Sequence, residues 1–600
     1  MARSVRVSDF KSLVRLYTKR KQNRNKAKSL LRKIHGIDTE TWNGNMFLLA
    51  DSDGRYLDDI TPENVFKFLF HKKYQNSWNF FYNLGYDAEV ILKLLGKNLE
   101  KQYLKKRRLR FEFDKFKIWY IPDKCLAIRK GHHSVIFYDI AQFYGRTKLT
   151  DAYEKNIGKR LDPTYLEMKQ KRKQFSPRFY RDNKNKIRKY CIQDCILTKE
   201  LSIKWASLFR KAFGFYPARW LSGGYLGEKV LINNNVSIPF FNFVPQGIQE
   251  LAYRSYYGGR FEILKRGFIG DAYLYDINSA YPHAFSLIPD LTRGKWVRSG
   301  KIHPKAKIGF FKIIANIPDV THIPPFPFRK KNMIIFPSGK FETYVTLQEL
   351  LACENSKYYK ILDSYQFIPS KKTRYPYKKF IEKLYNKRLA LKRKGDPLEL
   401  PFKMILNSIY GKTGETVNKI VIGNIFNPVI FATITGYVRA QLYTFVKKHK
   451  IEKNVVSFAT DSIAIKDKIR LPKSNKLGEM KLEKEGNDVY YLQNGYYRFN
   501  DTWKSRGFGK LNGKKIEHLR TTEKDGRLYL EYVESRNTRL RSAIIQHRIE
   551  DIGKIKPKIK KINLNADRKR SWLGTLESID SRIMNESIPI SLNYFEKDKI

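Results

Sequence analysis

The sequence predicts an α+β protein of several domains, with an α/β domain in the first third and a larger mixed body behind it. Residues 35 to 98 read as strand, strand, helix, strand and helix, and helical periodicity from about 185 to 213 closes this first unit. From about residue 270 onward, strands and helices alternate irregularly without an internal repeat, which excludes solenoids and propellers. A chain of 600 residues that is 42% apolar can bury several cores, so roughly three to five structural units are expected.

Short alternating and apolar runs define the first domain. Two strands are predicted for GIDTETW and MFLLADSDG, a helix from Thr61, a third strand for NSWNFFYNLG, and a further helix for YDAEVILKLLG. The alternating run RLRFEFDKFKIWYI predicts a hairpin that turns at Asp114 and Lys115. The Gly-rich runs LSGGYLGEK and YYGGRFE predict a connector between this domain and the rest.

The charge of the chain points to a polyanionic partner. Lys and Arg total 117 against 58 Asp and Glu, which gives a formal net charge of +59. Such an excess favours nucleic acid as the partner, with a ribosome-like or membrane-surface role as the alternative. The 39 Phe, 38 Tyr and 8 Trp residues add ring faces on which unpaired bases can stack.

Cysteine usage and hydropathy predict an intracellular protein without a membrane segment. The chain has four cysteines, none in a CxxC pair, so they are expected to be reduced core thiols rather than zinc ligands. It has no run of 18 or more apolar residues and no apolar signal-peptide segment. Residues 10 to 17 predict a basic amphipathic helix. Residues 552 to 570 are so rich in Lys and Arg that we expect a weakly specified segment that faces DNA or is partly mobile.

Carboxylates recur at the ends of the predicted elements of the first domain. Asp38 and Glu40 are two residues apart on a predicted strand, so both side chains lie on one face and can hold a hard divalent cation. Asn83 and Asp87 follow about 45 residues later, where a strand turns into a helix. A strand end of this kind suits a metal ligand.

A third motif completes this first constellation. Tyr190 and Asp194 are at positions i and i+4 of a predicted helix and therefore share one face. Each motif alone occurs by chance in chains of this length, and for each an ordinary structural role is at least as frequent as a functional one. Their order, and the element on which each one lies, make the set specific.

A second pair of carboxylates occurs in the body of the chain. YLYDINSAYPHAF places Asp276 at the end of an apolar strand, with Tyr281 at the start of the next helix. NVVSFATDSIAIKD predicts two short strands joined by a tight turn, with Asp461 near its tip. Two carboxylates from separate strands supply the metal pair that phosphoryl transfer uses. Asp461 alone would more often be an ordinary turn aspartate.

The segment PFKMILNSIYGKTG lies between these two acids. Lys403, Asn407 and Tyr410 are at positions i, i+4 and i+7, so they share one helical face, and Gly411 is predicted to end the helix. A lysine on that face can bind a triphosphate while the tyrosine covers a nascent base pair. This is the most specific single motif in the chain.

Together these motifs resemble the family B DNA polymerases. That family carries DxE, NxxxD and YxxxD exonuclease motifs in this order and a Kx3NSxYG signature in its polymerase body. The resemblance implies a ribonuclease H-like α/β 3′-5′ exonuclease domain followed by a right-hand body of palm, fingers and thumb. It also implies two divalent metal ions in each active site, Mg²⁺ or alternatively Mn²⁺.

The resemblance implies roles for individual residues. In the exonuclease, Asp38, Glu40, Asp87 and Asp194 would bind the metals, Tyr190 would orient the attacking water, and Asn83 would help to place the strand end. In the polymerase, Asp276 and Asp461 would be the metal ligands, and Tyr281 would be the steric gate against ribose. The remaining assignments are the nucleotide-binding Lys403, Asn407 and Tyr410, the YxGG residues Tyr256, Gly258 and Gly259, and the primer-strand candidates Tyr497, Lys504 and Arg506.

The chain departs from the family pattern at two positions. Gly495 occupies the position of a lysine in the primer-strand KxY segment. Ala459 replaces the first acid of the usual YxDTDS turn, which here reads SFATDS. Because the second acid usually carries the metals, we expect activity to survive with an altered rate or metal preference.

Insertions indicate the branch of the family. About 120 residues separate the first polymerase motif from Lys403, which resembles the protein-primed branch of viruses and linear plasmids. That branch starts synthesis on a terminal protein. A second insertion, which supports strand displacement in that branch, is reduced here to TGETVNKIVIGNIF, so processive strand displacement is not expected.

The resemblance divides the chain into seven segments. They are a basic N-terminal segment (1–34), the exonuclease domain (35–215), the first part of the palm with the YxGG linker (216–299), an insertion resembling a terminal-protein region (300–372), the fingers (373–415), the second part of the palm (416–500), and the thumb with a basic C-terminal region (501–600).

The sequence therefore predicts a DNA-directed DNA polymerase with a proofreading exonuclease. We expect a monomer, in the cytoplasm of the host cell if the protein is viral, that binds primed template DNA, single-stranded DNA, dNTPs and a terminal protein primer, and no membrane. The alternatives are a primer-independent family B polymerase, and a nuclease or DNA-binding protein with a decayed polymerase site.

Overall fold

A computed structural model describes residues 30–240, 243–417, 421–505, 520–524, 527–576 and 582–594. The basic helix predicted for residues 10 to 17 lies outside this range. The strands of the N-terminal domain are β1 (Ile34–Trp42), β2 (Asn45–Asp51), β3 (Tyr56–Leu57), β4 (Trp78–Phe81), β5 (Arg110–Phe113), β6 (Phe116–Ile121), β7 (Cys125–Lys130) and β8 (His133–Asp139). Its helices are α1 (Pro62–Leu69), α2 (Leu84–Lys93), α3 (Gly96–Lys106), α4 (Leu149–Ile157), α5 (Pro163–Lys171), α6 (Pro177–Asp182) and α7 (Lys184–Phe213).

The eight strands form one mixed sheet in the order β3-β2-β1-β4-β8-β7-β6-β5. The central strand β1 pairs antiparallel with β2 and parallel with β4. Helix α7 lies directly across β1, where any side chain in place of Gly36 would collide with the carbonyl oxygen of Cys195. This close approach brings the middle of α7 beside the carboxylates of β1.

The predicted order of elements in this domain is confirmed. Thr61 is the N-cap of α1, and its side chain accepts a hydrogen bond from Asn64 N. The hairpin at Asp114 and Lys115 is formed by β5 and β6. The two-residue strand β3 was not predicted, since it is too short to show an alternating pattern.

The body of the chain contains twenty-one further strands among the described residues. They are β9 (Arg260–Ile263), β10 (Lys265–Ile277), β11 (Gly294–Arg298), β12 (Ile308–Ile317), β13 (Phe328–Lys330), β14 (Met333–Ile335), β15 (Ser338–Thr346), β16 (Tyr359–Pro369), β17 (Thr416–Val417), β18 (Val421–Ile422), β19 (Val455–Thr460), β20 (Ser462–Ile465), β21 (Met480–Gln493), β22 (Tyr496–Phe499), β23 (Thr502–Ser505), β24 (Arg520–Lys524), β25 (Arg527–Asn537), β26 (Ile555–Asn563), β27 (Arg570–Trp572), β28 (Met584–Pro589) and β29 (Ser591–Tyr594).

The helices of the body lie around these sheets. They are α8 (Gly223–Asn233), α9 (Gln246–Arg254), α10 (Ala280–Ser286), α11 (Leu347–Ala352), α12 (Lys378–Arg393), α13 (Glu399–Lys412), α14 (Pro428–His449) and α15 (Leu540–Ile545). The main sheet has the order β23-β22-β21-β10-β20-β19-β9, and β28 also pairs with β10 and with β27. The long strand β10 therefore lies at the centre of the body.

The predicted Gly-rich connector is wrong over its first run, because LSGGYLGEK forms helix α8. Ser222 caps the helix by accepting a hydrogen bond from Tyr225 N. The glycines permit close packing on α13: a Cβ at Gly227 would lie 3.1 Å from Ile409 Cγ1, and one at Gly223 would lie 2.6 Å from Ser408 Oγ. Helix packing therefore outweighs the low helix propensity of glycine here.

The segment from 300 to 372 supplies three strands, β12, β15 and β16, of a separate five-stranded sheet with the order β11-β16-β12-β15-β29. It is fastened to the body by buried polar contacts. Arg439 of α14 donates from Nε to Glu349 Oε1 over 2.8 Å, and the hydroxyls of Tyr257 and Thr343 are 3.0 Å apart. The C-terminal strand β29 pairs parallel with β15, so the end of the chain is part of this sheet.

The expectation of a weakly specified segment at 552 to 570 is wrong. Residues 555 to 563 form β26, which pairs along its whole length with β25. The loop between these strands carries α15, whose Leu540 and Ile544 are buried in the core of the N-terminal domain together with Ile552. The strand pair therefore reaches from the body to the N-terminal domain.

The expectation that the cysteines are core thiols is met. All four cysteines are buried and free: Cys125, Cys191, Cys195 and Cys353. Among the helices that the structure describes, none combines the length and the apolar character needed to cross a membrane.

Candidate active sites

The first candidate site lies on β1 of the N-terminal domain. Asp38, Glu40 and Cys191 place one ligand atom each within 4.8 Å of one another. The side chain of Glu40 is fully buried, and neither of its oxygens has a hydrogen-bond partner among the described residues. A buried carboxylate without hydrogen bonds is costly unless a cation compensates it.

The second motif joins this cluster through a threonine. The hydroxyl of Thr39 donates to Asp87 Oδ1 over 2.6 Å, which fixes the buried carboxylate of α2 against β1. Asn83 precedes α2 in the left-handed conformation, at φ 63°, and its backbone N–H donates to Asp139 Oδ1 over 3.0 Å. The Asn83 side chain is exposed beside the cluster, so it is free to meet a strand end.

The third motif brings Asp194 of α7 and a second helix, α5. Asp194 accepts a short hydrogen bond from the hydroxyl of Tyr165, and Lys169 Nζ lies 3.6 Å from its Oδ1. The ring of Tyr190 stacks on Tyr165, with centroids 5.3 Å apart. The buried Tyr190 hydroxyl has no hydrogen-bond partner among the described residues, so it can serve a group that binds there.

The electrostatics of this cluster favour a bound cation. Burial, reinforced by Asp87 and Asp194, raises the pKa of Asp38 well above its usual range. Burial also raises the pKa of Glu40 to about 7, although Arg172 opposes the shift, and that of Asp87 to about 6, although the Thr39 hydrogen bond opposes it. Closely spaced carboxylate oxygens that outnumber the cations beside them, here Arg172 and Lys169, are the donor set that hard divalent metals prefer.

The second candidate site lies at the centre of the main sheet. Asp276 of β10 pairs in register with Ser462 of β20, and Ile277 N donates to the carbonyl of Asp461 over 3.0 Å. The turn between β19 and β20 is tight, with Thr460 at φ 68°. It therefore presents Asp461 at the end of β10, beside Asp276, as the sequence predicts.

A third acid, Glu483, approaches this pair from β21. Burial raises the pKa of Asp276 to about 7, and Asp461 and Glu483 add to the rise, whereas Lys481 and Lys504 oppose it. Strand register explains the approach, since Lys481 is directly opposite Asp276 and Glu483 is two residues further along β21. Ala459 lies opposite Ser462 and Phe261 and supplies no carboxylate.

Helix α13 carries the Lys403 motif. Lys403 and Asn407 are exposed, while Phe402, Ile405 and Ile409 bury the other side of the helix. The prediction that Gly411 ends the helix is wrong by two residues, because the C-cap is Thr413.

Two tyrosines link this helix to the carboxylate pair. Tyr410 stacks on Tyr281 with ring centroids 4.3 Å apart and planes 8° apart. Burial raises the pKa of both hydroxyls, that of Tyr410 to about 12. Both phenols are therefore neutral donors at physiological pH.

The YxGG residues directly precede β9 and lie beside Tyr281 and the turn that carries Asp461. A Cβ at Gly259 would lie 2.8 Å from Tyr281 Oη and 3.0 Å from Thr460 Cα, so only glycine fits there without displacing the site. Gly258 adopts φ 78°, and its carbonyl accepts a short hydrogen bond from Arg439. The ring of Tyr256 packs edge-on against Phe431, with centroids 4.6 Å apart.

The primer-strand candidates fall on β22 and β23. Tyr497 stacks on Tyr491 with centroids 4.8 Å apart, and Lys504 Nζ lies 5.9 Å from the centroid of the Tyr497 ring. Lys504 is close enough to Asp276 to affect its pKa. Arg506 lies outside the described residues.

Sequence reasoning missed Tyr165, Lys169, Arg172 and Glu483. The first three lie in a strongly charged run whose default interpretation is a solvated surface, and Tyr165 to Lys169 has only a helical i, i+4 spacing as a signal. Glu483 lies in an alternating charged strand, and only its pairing with β10 brings it to Asp276.

Known proteins resemble this chain along most of its length. The family model described as DNA polymerase type B, organellar and viral, matches residues 71–466. A DNA polymerase of Acidianus bottle-shaped virus (isolate Italy/Pozzuoli) is 27% identical over 535 residues, which cover 81% of this chain and 77% of the viral protein.

Solved structures of phi29 DNA polymerase share the fold. The complex with primer-template DNA and incoming nucleotide aligns with a TM-score of 0.59 at 14% identity, over 90% of this chain and 100% of the phi29 chain. The complex with single-stranded DNA aligns with a TM-score of 0.54 at 16% identity, over 88% of this chain and 92% of the phi29 chain.

The chain shares the fold of phi29 DNA polymerase, with an α/β domain in front of a larger mixed body. The chain belongs to the type B DNA polymerases of organelles and viruses. It is a DNA-directed DNA polymerase of the viral type. The fold class and the family resemblance expected from the sequence are thereby confirmed.

Proposed function

We propose that this polymerase is a replicative enzyme with two separate metal-dependent sites, one that adds nucleotides and one that excises them from the primer 3′ end. The observation that carries the second activity is the cluster around Glu40, in which a fully buried carboxylate has no hydrogen bond among the described residues. Arg172 lies 3.4 Å from Oε2 of Glu40, but it also faces Asp38 and Asp194. A metal site explains why so many carboxylates are buried around a single guanidinium group.

The excision site would hold its metals through Asp38, Glu40, Asp87 and Asp194. Bound divalent cations would supply an activated water and neutralise charge on the phosphodiester. The chain's own groups provide orientation: the free hydroxyl of Tyr190 can donate to the attacking water, and the exposed Asn83 can hold the terminal nucleotide. Arg172 is placed to offset charge, because it lies beside Glu40.

The polymerase site would hold its metals through Asp276 and Asp461, which two neighbouring strands bring together. These residues would position the metals for attack of the primer 3′-hydroxyl on the incoming dNTP. Lys403 lies on the exposed face of α13 and would bind the triphosphate, with Asn407 one turn away. Tyr281, fixed against Tyr410, would close the space beside the sugar 2′ position.

The DNA path would run between these two sites. Tyr256, Gly258 and Gly259 would link the two domains and contact the template, while Tyr497 and Lys504 would contact the primer strand. Phi29 DNA polymerase is seen with primer-template DNA, single-stranded DNA and nucleotides, and we propose the same ligands for this chain. The formal charge of +59 supports a polyanionic partner. We further propose that the enzyme acts as a monomer in the host cytoplasm, with Mg²⁺ or Mn²⁺.

Extension of a labelled primed template with Mg²⁺ or Mn²⁺, with and without dNTPs, tests the two-site assignment. We expect Asp461→Ala to lose elongation and keep primer shortening, and Asp38→Ala to lose shortening and keep elongation. Loss of both activities in either variant would contradict two separate sites. Shortening without elongation by the intact chain would identify Ala459 as the mark of a decayed polymerase.

We propose that synthesis starts from a hydroxyl group of a terminal protein. The support is the long segment before Lys403, which supplies β12, β15 and β16 to a separate sheet. Incubation with a labelled dNTP, a duplex genome end and the candidate terminal protein should yield a labelled protein. Initiation at the same rate without that protein would favour a primer-independent enzyme. Deletion of 300 to 372 is unsuitable as a test, because it removes Glu349 and Thr343, which hold the palm residues Arg439 and Tyr257.

A further inference from the structure

A cavity with a volume of about 940 Å³ opens at the N-terminal end of β1, and neither activity above uses it. We call it the β1 pocket. Its charged lining consists of Arg32, Lys33, Lys72, Lys73, Lys199 and Asp53. Its volume is in the range of pockets that bind a nucleotide-sized ligand.

The cations of the β1 pocket exceed the carboxylates that could neutralise them. Lys73 Nζ lies 2.5 Å from Asp51 and 3.2 Å from Asp53, and Lys199 Nζ lies 3.0 Å from Asp53. Although burial opposes the shift, these two lysines lower the pKa of Asp53 to about 2, so it stays ionised. Among the described residues, Arg32, Lys33 and Lys72 form no ion pair, so a positive excess faces the cavity.

A buried histidine lies among these cations. His35 is 5% exposed and lines the pocket, and neither of its ring nitrogens has a hydrogen-bond partner among the described residues. Its Nδ1 atom lies 3.0 Å from Asp53 Oδ2. Burial lowers the pKa of His35, and the nearby Lys73 and Lys199 lower it further. Asp53 and Asp51 have the opposite effect, but the net pKa remains lowered. The ring is therefore a buried polar group at the wall of the cavity whose hydrogen-bonding capacity is not used by the described residues.

Apart from Gln75 and Ser207, the rest of the lining is apolar or aromatic. The cavity is bounded by Ile203 and Ala206 of α7, by Leu31, and by the ring of Tyr216. The pocket thus combines cations for a phosphate, a buried histidine for a hydroxyl or amino group, and a flat apolar wall for a base.

We propose that the β1 pocket binds a nucleotide unit, with its phosphate on Lys33 and Lys72 and a sugar hydroxyl or base amino group on the His35 ring. The nucleotide can be free or part of a bound DNA strand, since both offer the same chemistry. The pocket is separate from the excision site. His35 and Asp38 are three residues apart on β1, which corresponds to about 10 Å of extended strand, and their side chains lie on opposite faces of the strand.

Photo-crosslinking of the full chain with labelled 8-azido-dAMP tests this proposal. EDTA is present throughout, so that metal-dependent binding at the two carboxylate sites does not contribute. We expect label on peptides that contain residues 30–35 or 199–216. The variant Lys33→Gln/Lys72→Gln should carry at least tenfold less label, because it lacks the two proposed phosphate ligands. It should still fold, since both lysines are exposed and removing them breaks no ion pair among the described residues.

The matched control is Lys101→Gln/Lys105→Gln, which removes two exposed lysines of α3 in the same domain. It should keep the label, and both variants should unfold at the temperature of the parent chain. Competition by unlabelled dAMP would identify a free nucleotide as the ligand, and competition by an oligothymidylate alone would identify a strand. Absence of label in the β1 pocket, or equal loss in both variants, would overturn the proposal.

Discussion

The guanidinium group of Arg172 lies with its Nε atom 3.4 Å from Oε2 of Glu40, and Glu40 is fully buried. This ion pair raises the pKa of Arg172 well above its usual range. Because Asp38 and Asp194 also face Arg172, one cation opposes the mutual repulsion of several carboxylates. We infer that Arg172 keeps Glu40 ionised and ready to bind a metal.

Replacing Arg172 should therefore weaken excision and leave elongation intact. We expect Arg172→Gln to reduce primer shortening by about tenfold near pH 7, because Glu40 is then more often protonated and one pKa unit corresponds to a factor of ten. Arg172→Lys should keep a larger part of the activity, since it retains the charge but not the guanidinium geometry. Measurement of single-turnover excision at several Mg²⁺ concentrations checks this. Unchanged excision in Arg172→Gln would refute the assigned role.

The same carboxylates should make the metal-free protein less stable at neutral pH. In the folded state, burial raises the pKa of Glu40 to about 7 from a usual value near 4.5. Between these values the folded protein holds a proton that the unfolded chain has lost, so stability falls as the pH rises from about 4.5 to 7. Glu40→Gln removes this titration and should stabilise the metal-free protein above pH 7 by on the order of 2 kcal/mol.

Thermal unfolding in EDTA as a function of pH measures this effect. The matched control is Glu167→Gln, because Glu167 is an exposed carboxylate of α5 outside the cluster. Mg²⁺ should raise the unfolding temperature of the parent chain but not that of Glu40→Gln. If Glu40→Gln proves less stable than the parent chain in EDTA at pH 8, the buried negative charge of Glu40 does not destabilise the metal-free protein.

Glu483 should partly replace the carboxylate that is missing at position 459. Both positions adjoin Asp276, Glu483 along β21 and Ala459 through the turn that presents Asp461. We expect Glu483→Gln to raise the Mg²⁺ concentration needed for half-maximal elongation by about three- to tenfold. The reason is that the site loses a negative charge that lies within about one Debye length of the metal and is therefore weakly screened. Ala459→Asp should change it in the opposite direction.

Elongation rates over a Mg²⁺ titration distinguish these outcomes, with Glu485→Gln as the control on the same strand. Glu485 is exposed and paired with Lys468, so its loss should leave the titration unchanged. Equal shifts in Glu483→Gln and Glu485→Gln would show that general charge, rather than proximity to Asp276, sets the metal affinity.

The carboxylates and their elements could be predicted because local patterns determine them. Asp38 and Glu40 follow from strand periodicity, and Lys403, Asn407 and Tyr410 from helix periodicity. Arg172 and Glu483 could not be predicted, since each meets its partner only through the packing of elements distant in sequence.

Two errors of prediction have the same physical origin. The glycines of α8 predict a connector, but in the structure Gly227 allows Ile409 of α13 to pack closely against the helix. The basic run of β26 predicts a weakly specified segment, but in the structure it pairs along its whole length with β25. In both cases tertiary contacts outweigh local propensity.

The contact between α15 and the N-terminal domain should hold the two halves of the molecule together on DNA. Ile544 is fully buried in the N-terminal core, and Leu540 N donates to Glu89 Oε2 over 3.2 Å. Glu89 lies on α2, two residues from Asp87, so the strand pair β25 and β26 is anchored beside the excision site. Ile544→Ala should destabilise the protein by about 2 to 4 kcal/mol through the cavity it creates.

We also expect Ile544→Ala to make shorter products for each binding event, because loss of the contact frees the lysine-rich strand pair at one end. Thermal unfolding and primer extension with a heparin trap measure the two effects. The neighbouring Ile545 is 58% exposed, so Ile545→Ala should leave both unchanged. A loosened strand pair would release the primed template sooner, so the products should shorten. If Ile544→Ala lowers the unfolding temperature without shortening the products, the contact stabilises the fold but does not help to retain DNA.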